Sequence, residues 1–216
     1  MNLKRIIFWA SFLIILALIL WGLVVAMNKP VSGTHLISPA PVSGSDHVTG
    51  SASAPVTIVE YGDFECPACG AYFPLVERFM KEASTTARLV FRHFPLPQHA
   101  NAMIAAEASE AASLQGKFWD MYRLIYEHQN DWSNLPDAHN VLDGYANQIG
   151  LDMVKFKADI DSSAVKDAIA NDQAEGVKIG IDSTPTFFVN GKAITNPQSY
   201  EAFKSLIEAA ASGSSK

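Results

Sequence analysis

The sequence predicts an α/β domain that contains a helical insertion. Apolar, β-rich runs occur on both sides of residues 98–180, whereas that stretch itself has helical patterning. The predicted order is therefore strand, helix, strand, several helices, hairpin and helix. This order indicates one sheet-centred core into which a helical segment has been inserted.

The first part of the domain is predicted to alternate between strand and helix. Residues Val56–Tyr61 are largely apolar and rich in β-branched side chains, as expected of a buried strand. Gly62 and Asp63 end this strand, and a helix runs from the cysteines to about Ala83. A second strand, Leu89–Phe94, is ended by nearby prolines.

The second part is predicted to be helical until a hairpin near the end. Five helices separated mostly by glycine breaks are expected, at Ala100–Ala112, Lys117–His128, Asp137–Ile149, Asp152–Ile160 and Ser163–Ile179. Two strand-like runs, Thr186–Val189 and Lys192–Thr195, then flank Asn190-Gly191. Asn-Gly is a strong hairpin signal because both residues tolerate positive φ. A final helix, Gln198–Ala210, closes the domain.

The N-terminal segment is predicted to be a membrane anchor. Residues 6–27 form a run of 22 residues without a charge, and at about 1.5 Å per residue it spans roughly 33 Å, enough for a hydrocarbon core of about 30 Å. Lys4 and Arg5 precede the run and only Lys29 follows closely, so residues 1–5 are expected in the cytoplasm. A cleaved signal peptide is the alternative, although its apolar region is usually shorter.

Residues 28–55 are predicted to be a flexible linker between this anchor and a domain at residues 56–211. The segment is rich in Ser, Gly, Pro and Ala and shows no sustained periodicity. Anchor and signal peptide both imply export. An exported domain meets an oxidising compartment, in which a pair of cysteines can cycle between dithiol and disulfide.

The composition directs attention to the cysteines. The chain has 216 residues and a formal net charge of −6, and its Lys and Arg residues form no cluster, so nothing indicates a nucleic-acid partner. Its only cysteines are Cys66 and Cys69. A structural disulfide framework normally needs more cysteines at wider spacing, and so small a ring would restrict the unfolded chain little. A chemical role is therefore predicted.

The pair Cys66-Pro67-Ala68-Cys69 follows a buried strand and opens a helix. Pro67 suits the first helical position, which makes Cys66 the N-cap. The sulfur of Cys66 can then accept hydrogen bonds from the first amide groups, and the helix dipole adds positive charge, so its pKa should fall. Cys69 lies one turn further and deeper. Cys66 is therefore predicted to be the attacked sulfur and Cys69 the resolving one.

Two further observations limit this interpretation. The acidic residues Asp63 and Glu65 are close in sequence to the pair and disfavour a thiolate, so only a moderate lowering is expected. A zinc site would need two more ligands, and the plausible candidates, His93 and His99, have a spacing that matches no finger pattern. Each histidine is interpreted as a surface or capping residue, and no metal site is predicted.

Three motifs together resemble the thioredoxin superfamily. Glu65-Cys66-Pro67-Ala68-Cys69 on a strand-to-helix turn resembles its active-site motif, and Pro74 resembles the proline that kinks its active-site helix. Residues 183–191 (Ser-Thr-Pro-Thr-Phe-Phe-Val-Asn-Gly) are similar to its cis-proline loop and hairpin. The inserted helices resemble the DsbA-like branch. A thioredoxin-like fold over residues 56–211, with its insertion at about 98–180, is the expectation.

The resemblance implies roles for residues outside the cysteine pair. Pro185 would follow a cis peptide bond, and Thr184 would face the cysteines and offer backbone hydrogen bonds to a bound substrate strand. Glu60 resembles the buried acid beneath the cysteines, which would have a raised pKa and exchange a proton with Cys69. The alternative for Glu60 is a strand-end carboxylate that reaches solvent.

The implied function is dithiol oxidation by disulfide exchange, with the Cys66–Cys69 disulfide as the redox group and no separate cofactor. Pro67 and Ala68 are supporting residues. The best-known oxidants of the family have Pro-His between the cysteines and commonly Val before the cis-proline, where this chain has Pro-Ala and Thr184. A disulfide reductase or isomerase is therefore an open alternative. A tethered module that binds Cu(I) or another metal through both sulfurs is a third.

The expected partners follow from the same reasoning. They are exported proteins with cysteines, and a membrane redox partner, either a quinone-linked oxidase or a thiol reductase. The expected location is the inner (cytoplasmic) membrane, with a single pass and the C-terminal domain facing the periplasm or the extracellular side.

Overall fold

The structure, a computed structural model, describes residues 9, 12, 13, 16 and 36–213. The predicted anchor at 6–27 lies almost wholly outside these residues, as do the cytoplasmic terminus and the first part of the predicted linker. No helix within the described residues is long and apolar enough to cross a bilayer. Residues from Leu36 onward belong to one compact unit.

A mixed sheet forms the centre of this unit. Its strands are β1 (His47–Gly50), β2 (Val56–Gly62), β3 (Ala87–His93), β4 (Thr186–Val189) and β5 (Lys192–Ala193). They lie in the order β1-β3-β2-β4-β5. Strands β2 and β3 are parallel and every other neighbouring pair is antiparallel. The predicted strands and hairpin are confirmed, with ends shifted by a residue or two.

The helices cover this sheet and form the insertion. They are α1 (Pro67–Ala83), α2 (Ala102–Ser113), α3 (Phe118–Glu127), α4 (Gln129–Trp132), α5 (His139–Gln148), α6 (Met153–Asp159), α7 (Ser163–Lys178) and α8 (Tyr200–Gly213). The predicted helices are confirmed, and α4 is an additional short one. Helices α2 to α7 make up the predicted insertion, and α8 extends slightly beyond the predicted end of the domain at 211.

The prediction of a flexible linker over residues 28–55 is wrong for its described part. Strand β1 lies inside this range and pairs with β3 along its whole length. Further upstream, the Ile37 amide donates to the carbonyl of Ile179 at 3.1 Å, and Asp46 forms a 2.7 Å ion pair with the buried Arg92. The composition of the segment does not reveal this order, because the segment is held by strand β3 and by Arg92. Both are distant in sequence and come next to it only when the domain folds.

The alternation of side chains along β2 decides which face of the sheet each residue serves. Val56 and Ile58 pack in the cluster that includes α1 and α8, whereas Val59 and Tyr61 pack on the other face. Successive strand residues point to opposite faces, so Glu60 shares the face of Ile58. That face is the one covered by the helix that begins at the cysteines.

The insertion and the start of α1 share one hydrophobic cluster, which includes both cysteines. Aromatic rings make up much of it. The Tyr126 ring lies 4.9 Å from that of Phe64 and 5.3 Å from that of Phe73, while Trp132 is fully buried nearby in the same cluster. The insertion therefore forms a wall of the region around the cysteines.

Candidate active site

The cysteine pair occupies the turn between β2 and α1, as predicted. Cys66 is the N-cap of α1 with extended backbone angles, φ −64° and ψ 120°, and Pro67 is at the start of the helix. Cys66 is 7% exposed and Cys69 is 0% exposed. Both are free thiols in this structure. Cys66 is therefore the sulfur that an incoming group can reach, whereas Pro67 and Ala68 are exposed beside it.

The environment of Cys66 strongly favours its thiolate. Its pKa is lowered from 9.0 to about 5, chiefly by hydrogen bonding from the Cys69 thiol, with further lowering from the Thr184 side chain and from the amides of Cys69 and Ala68. Burial opposes this lowering. The side chain makes no hydrogen bond with full N-cap geometry, so Cys69 contributes more than the expected cap. The expectation of only a moderate lowering is wrong.

The two acidic neighbours fail to oppose the thiolate because their carboxylates are engaged elsewhere. Asp63 accepts hydrogen bonds from the amides of Glu65 at 2.8 Å and Leu96 at 2.9 Å, and pairs with His99 Nδ1 at 2.6 Å. Glu65 accepts from the Asn101 amide at 2.5 Å. These contacts hold the turn before the cysteines against the start of the insertion, and they explain the position of His99.

The resolving cysteine and Glu60 form a buried pair of proton-binding groups. Burial raises the pKa of Cys69 well above its usual value, and the adjacent Cys66 and Glu60 raise it further. Glu60 is 1% exposed, and burial raises its pKa to about 8. Its Oε2 has no hydrogen-bond partner among the described residues. The alternative in which Glu60 reaches solvent is therefore wrong.

The loop before β4 closes the other side of the site. The Thr184–Pro185 peptide bond is cis, as the resemblance implies, and both residues are buried. The Cys66 thiol donates to the carbonyl of Thr184, with Sγ and O 3.4 Å apart. The Thr184 hydroxyl makes no hydrogen bond of full geometry within the described structure, although it is close enough to lower the pKa of Cys66.

Gln129 is a site residue that the sequence did not indicate. Its Nε2 donates to the carbonyls of Phe64 at 2.7 Å and Cys66 at 2.9 Å, from a buried position at the start of α4. Its Oε1 lies so close to Gly70 that a Cβ there would be 2.3 Å away. Gln129 thereby fixes the active-site turn from the insertion. A lone glutamine 60 residues from the pair has no pattern by which to recognise it.

The interpretation of His93 as a surface or capping residue is wrong. Its side chain is 1% exposed, and its Nε2 lies 2.9 Å from Oε1 of Glu110. The ring packs among Phe64, Phe91 and Phe118. His93 ends β3 as expected, but the insertion covers that end of the sheet, which a strand pattern does not reveal.

A low-pKa thiolate next to a buried, high-pKa thiol is an arrangement suited to disulfide exchange. The sequence matches the family described as Thioredoxin over residues 42–209. The chain belongs to this thioredoxin family.

Solved structures agree with this assignment. BdbD from Bacillus subtilis, in its oxidised form, superposes with a TM-score of 0.72 and is 26% identical, covering 82% of this chain and 99% of that one. The α-DsbA1 protein of Wolbachia pipientis has a TM-score of 0.71 at 21% identity, covering 81% of this chain and 94% of its own. At that lower identity the second likeness shows the shared fold.

Relatives at about 40% identity are longer proteins that are named as Na(+)/H(+) antiporters. The Na(+)/H(+) antiporter NhaA 1 of Salinispora arenicola is 41% identical over 169 residues, which is 78% of this chain and 25% of the antiporter. The NhaA 1 protein of Mycolicibacterium gilvum is 40% identical over 157 residues, 70% of this chain and 24% of its own. The chain thus spans about a quarter of the length of these relatives.

Proposed function

We propose that this protein oxidises pairs of thiols in exported proteins by disulfide exchange through Cys66 and Cys69. The observation that supports this most strongly is the pKa of about 5 for Cys66. A group with this pKa is predominantly thiolate at neutral pH. Stabilisation of the thiolate favours the reduced form of the enzyme, so its disulfide readily accepts electrons from a substrate.

The proposed reaction has two exchange steps. A substrate thiolate attacks Sγ of Cys66 in the Cys66–Cys69 disulfide, the S–S bond breaks, and Cys69 leaves as a thiolate. A second thiolate of the substrate then attacks the substrate sulfur of this mixed disulfide, and Cys66 leaves as its stable thiolate. The substrate loses two electrons and gains a disulfide, and the enzyme gains those electrons as a dithiol.

Glu60 is proposed to supply the proton that the first step requires. Cys69 leaves as a buried thiolate, and its raised pKa makes it a strong base. Glu60 has a pKa of about 8 and is therefore mostly protonated at neutral pH. Transfer of that proton to Cys69 moves the negative charge from the sulfur to the Glu60 carboxylate, the group with the lower pKa of the two, and the reverse transfer accompanies reoxidation.

The surface around the pair supports binding of an unfolded peptide. A cavity of about 480 Å³ beside the pair is lined in part by Pro67, Phe73, Pro74 and Tyr126. These apolar residues, beside the polar Glu127, Gln129 and Asn130 of the same lining, suit side chains of an extended chain without selecting a sequence. On the other side of the pair, Thr184 is proposed to offer its backbone to the substrate strand.

The location and the partners are part of the proposal. Residues 6–27 are proposed to anchor the chain in the cytoplasmic membrane with the described domain outside, on the charge and length arguments given above. A membrane partner, quinone-linked in the proposed direction, would accept the two electrons and restore the disulfide. An exported location makes this cycle possible because cytoplasmic thiols would keep the pair reduced.

The deciding experiment is the reduction potential of the Cys66–Cys69 couple in the full chain, measured by glutathione titration. A value of roughly −120 to −180 mV supports oxidation of substrates. A value near or below roughly −270 mV overturns the proposal in favour of a reductase. Refolding assays with ribonuclease then separate an oxidase from an isomerase. An oxidase accelerates the refolding of reduced ribonuclease, whereas an isomerase accelerates the refolding of ribonuclease with scrambled disulfides. Cys66→Ser should abolish both activities.

A further inference from the structure

We propose that His47, His93 and Glu110 form a binding site for a borderline divalent metal ion, Zn²⁺ foremost, separate from the redox-active cysteines. One ligand atom from each residue lies within 4.8 Å of the other two. Oε1 of Glu110 is 2.6 Å from Nε2 of His47 and 2.9 Å from Nε2 of His93. Two imidazoles and one carboxylate are a common ligand set for Zn²⁺.

The direction of the His93 ring is the observation that points to a ligand. Its Nε2 is buried and makes no aligned hydrogen bond within the described structure, although Oε1 of Glu110 is only 2.9 Å away. Hydrogen-bonded partners point at each other, whereas the ligands of one cation point at a common centre between them. The ring nitrogen of His93 lacks the first arrangement, and it lies within 4.8 Å of the ligand atoms of His47 and Glu110.

The spacing of the three atoms suits a small cation after a modest expansion. Zn–N and Zn–O bonds of about 2.1 Å place tetrahedral ligand atoms ~3.4 Å apart. The two nitrogen–oxygen distances, 2.6 and 2.9 Å, are shorter than this. Each would have to open by about 0.5–0.8 Å to admit Zn²⁺, a change that small rotations of the Glu110 side chain can provide.

The ligands are held by their surroundings and come from three different elements. His47 lies on β1, His93 ends β3 and Glu110 lies on α2. The His47 ring stacks on Phe118 with centroids 3.5 Å apart and planes 5° from parallel. The Ser113 hydroxyl donates to Oε2 of Glu110 at 3.2 Å. Contacts of this kind orient metal ligands before the metal arrives.

Charge and access also favour a cation here. The side chain of Glu110 is 7% exposed, and the Asp172 carboxylate lies nearby, where it accepts from the His93 amide at 2.9 Å. The buried Glu110 and the partly buried Asp172 carboxylate both favour nearby positive charge, which a divalent ion can provide while both imidazoles stay neutral. The His47 side chain is 14% exposed, so solvent reaches the cluster on this side.

The chemical class of the ion follows from the ligands. Imidazole nitrogen suits Zn²⁺, Co²⁺ and Ni²⁺, whereas Ca²⁺ and Mg²⁺ prefer six or more oxygen ligands. Bound metal would connect β1 to β3 and α2, and so fasten the N-terminal segment of the domain to the sheet and the insertion. The site is thus expected to stabilise the fold and to leave disulfide exchange unchanged.

The test is zinc binding by the full chain, purified in detergent, with the Cys66–Cys69 disulfide formed so that no thiolate competes. Equilibrium dialysis is expected to give one tightly bound Zn²⁺ per chain. His47→Gln should weaken binding at least tenfold. The matched control is His139→Gln, because His139 also contacts a carboxylate, Asp137, but at an exposed position; binding should be unchanged. Millimolar Ca²⁺ should not displace the zinc.

A spectroscopic measurement on the unaltered chain covers the case in which His47→Gln does not fold. Co²⁺ bound to the oxidised protein should give an X-ray absorption spectrum with two imidazole ligands. No stoichiometric Zn²⁺ binding at roughly 1 μM free metal, a concentration at which structural zinc sites are filled, or equal loss in both histidine variants, would overturn the proposal. The three residues would then form a hydrogen-bonded ion pair only.

Discussion

Two buried carboxylates precede the cysteine pair, and they differ in one respect. Glu60 and Asp63 are each 1% exposed. Asp63 accepts hydrogen bonds from the amides of Glu65 and Leu96 and pairs with His99. Glu60 has an oxygen with no partner in the described part of the chain, and burial raises its pKa to about 8. The two carboxylates are therefore equally buried, but only Asp63 has hydrogen-bond donors around it.

The backbone explains this difference. Glu60 lies within β2, where the amides of the sheet bond to neighbouring strands and leave no donor for a side chain. Asp63 follows the end of β2, in a turn whose amides have no strand partner and can donate to its carboxylate. Hydrogen-bond donors stabilise the ionised carboxylate of Asp63, which in turn stabilises the turn. Without donors, the buried Glu60 favours its protonated form. This difference supports a structural role for Asp63 and the proposed proton transfer by Glu60.

The largest expected effect is a pH dependence of stability due to Glu60. Its pKa is 4.5 when unfolded and about 8 when folded, so the folded protein retains a proton that the unfolded chain releases. This contribution is fully present below pH 4.5 and is lost as the pH rises through 8. Over this range the free energy of unfolding should fall by roughly 3–5 kcal/mol more than in Glu60→Gln.

Urea denaturation of the oxidised protein and of Glu60→Gln, from acidic to alkaline pH, measures this difference. The oxidised form is used because neither sulfur titrates in it. Parallel stability curves for the two proteins would show that the Glu60 pKa is not raised, and would remove the contrast with Asp63.

The next largest effect is expected from Asp63→Ala. This change leaves the amides of Glu65 and Leu96 and the ring of His99 without their acceptor, and each unsatisfied buried donor costs about 1–3 kcal/mol. A loss of about 3 kcal/mol in the free energy of unfolding is expected. The reduction potential should change little, because Asp63 is not among the principal causes of the Cys66 pKa.

Denaturant unfolding and a glutathione titration of Asp63→Ala check both parts. Glu60→Leu is the matched comparison, since removing a carboxyl that lacks a partner should not destabilise the protein at pH 8. Equal destabilisation by the two variants would contradict the division of roles.

A smaller effect is expected on the rate of the first exchange step. Glu60→Gln keeps the shape of the side chain but cannot donate a proton to Cys69, so mixed disulfides should form about 100-fold more slowly. Stopped-flow mixing of the oxidised enzyme with a thiol peptide measures this rate. A rate equal to that of the unaltered enzyme at every pH would exclude Glu60 as the proton donor.

The smallest effect is expected from Gln129→Ala. It removes two hydrogen bonds to carbonyls of the active-site turn, so we expect a loss of about 1–2 kcal/mol of stability. The pKa of Cys66, followed by thiolate absorbance, should rise because the turn is less well held. Asn130→Ala, at the exposed neighbouring position, is the control and should change neither quantity.

Much of the fold was predictable because local patterns determine it. The strands β2 and β4, the hairpin at Asn190-Gly191 and the helix that begins at Pro67 each have a signal within a few residues. Strand β1 was not predictable, since its four residues lie in a Ser- and Gly-rich segment and are ordered by pairing with β3.

The residues of the candidate site also fall into those that local motifs predict and those that only tertiary contacts bring to the site. Cys66, Cys69 and Pro185 could be placed from motifs, because each motif has its own short-range geometry. Gln129 could not, and neither could the cluster that contains His93, because their contacts join residues far apart in the chain. The strength of the Cys66 pKa lowering also escaped prediction, since Asp63 and Glu65 turn out to be bonded elsewhere.

By itself, then, the sequence determined the order of the elements, the reactive pair and the class of chemistry. These depend on hydrophobic periodicity, turn residues and neighbours within one helical turn, all of which act locally. Only the tertiary structure decided which buried acid has hydrogen-bond donors and how far the thiol pKa values separate. Those properties depend on burial and on distances between residues brought together by folding, and no spacing along the chain encodes them directly.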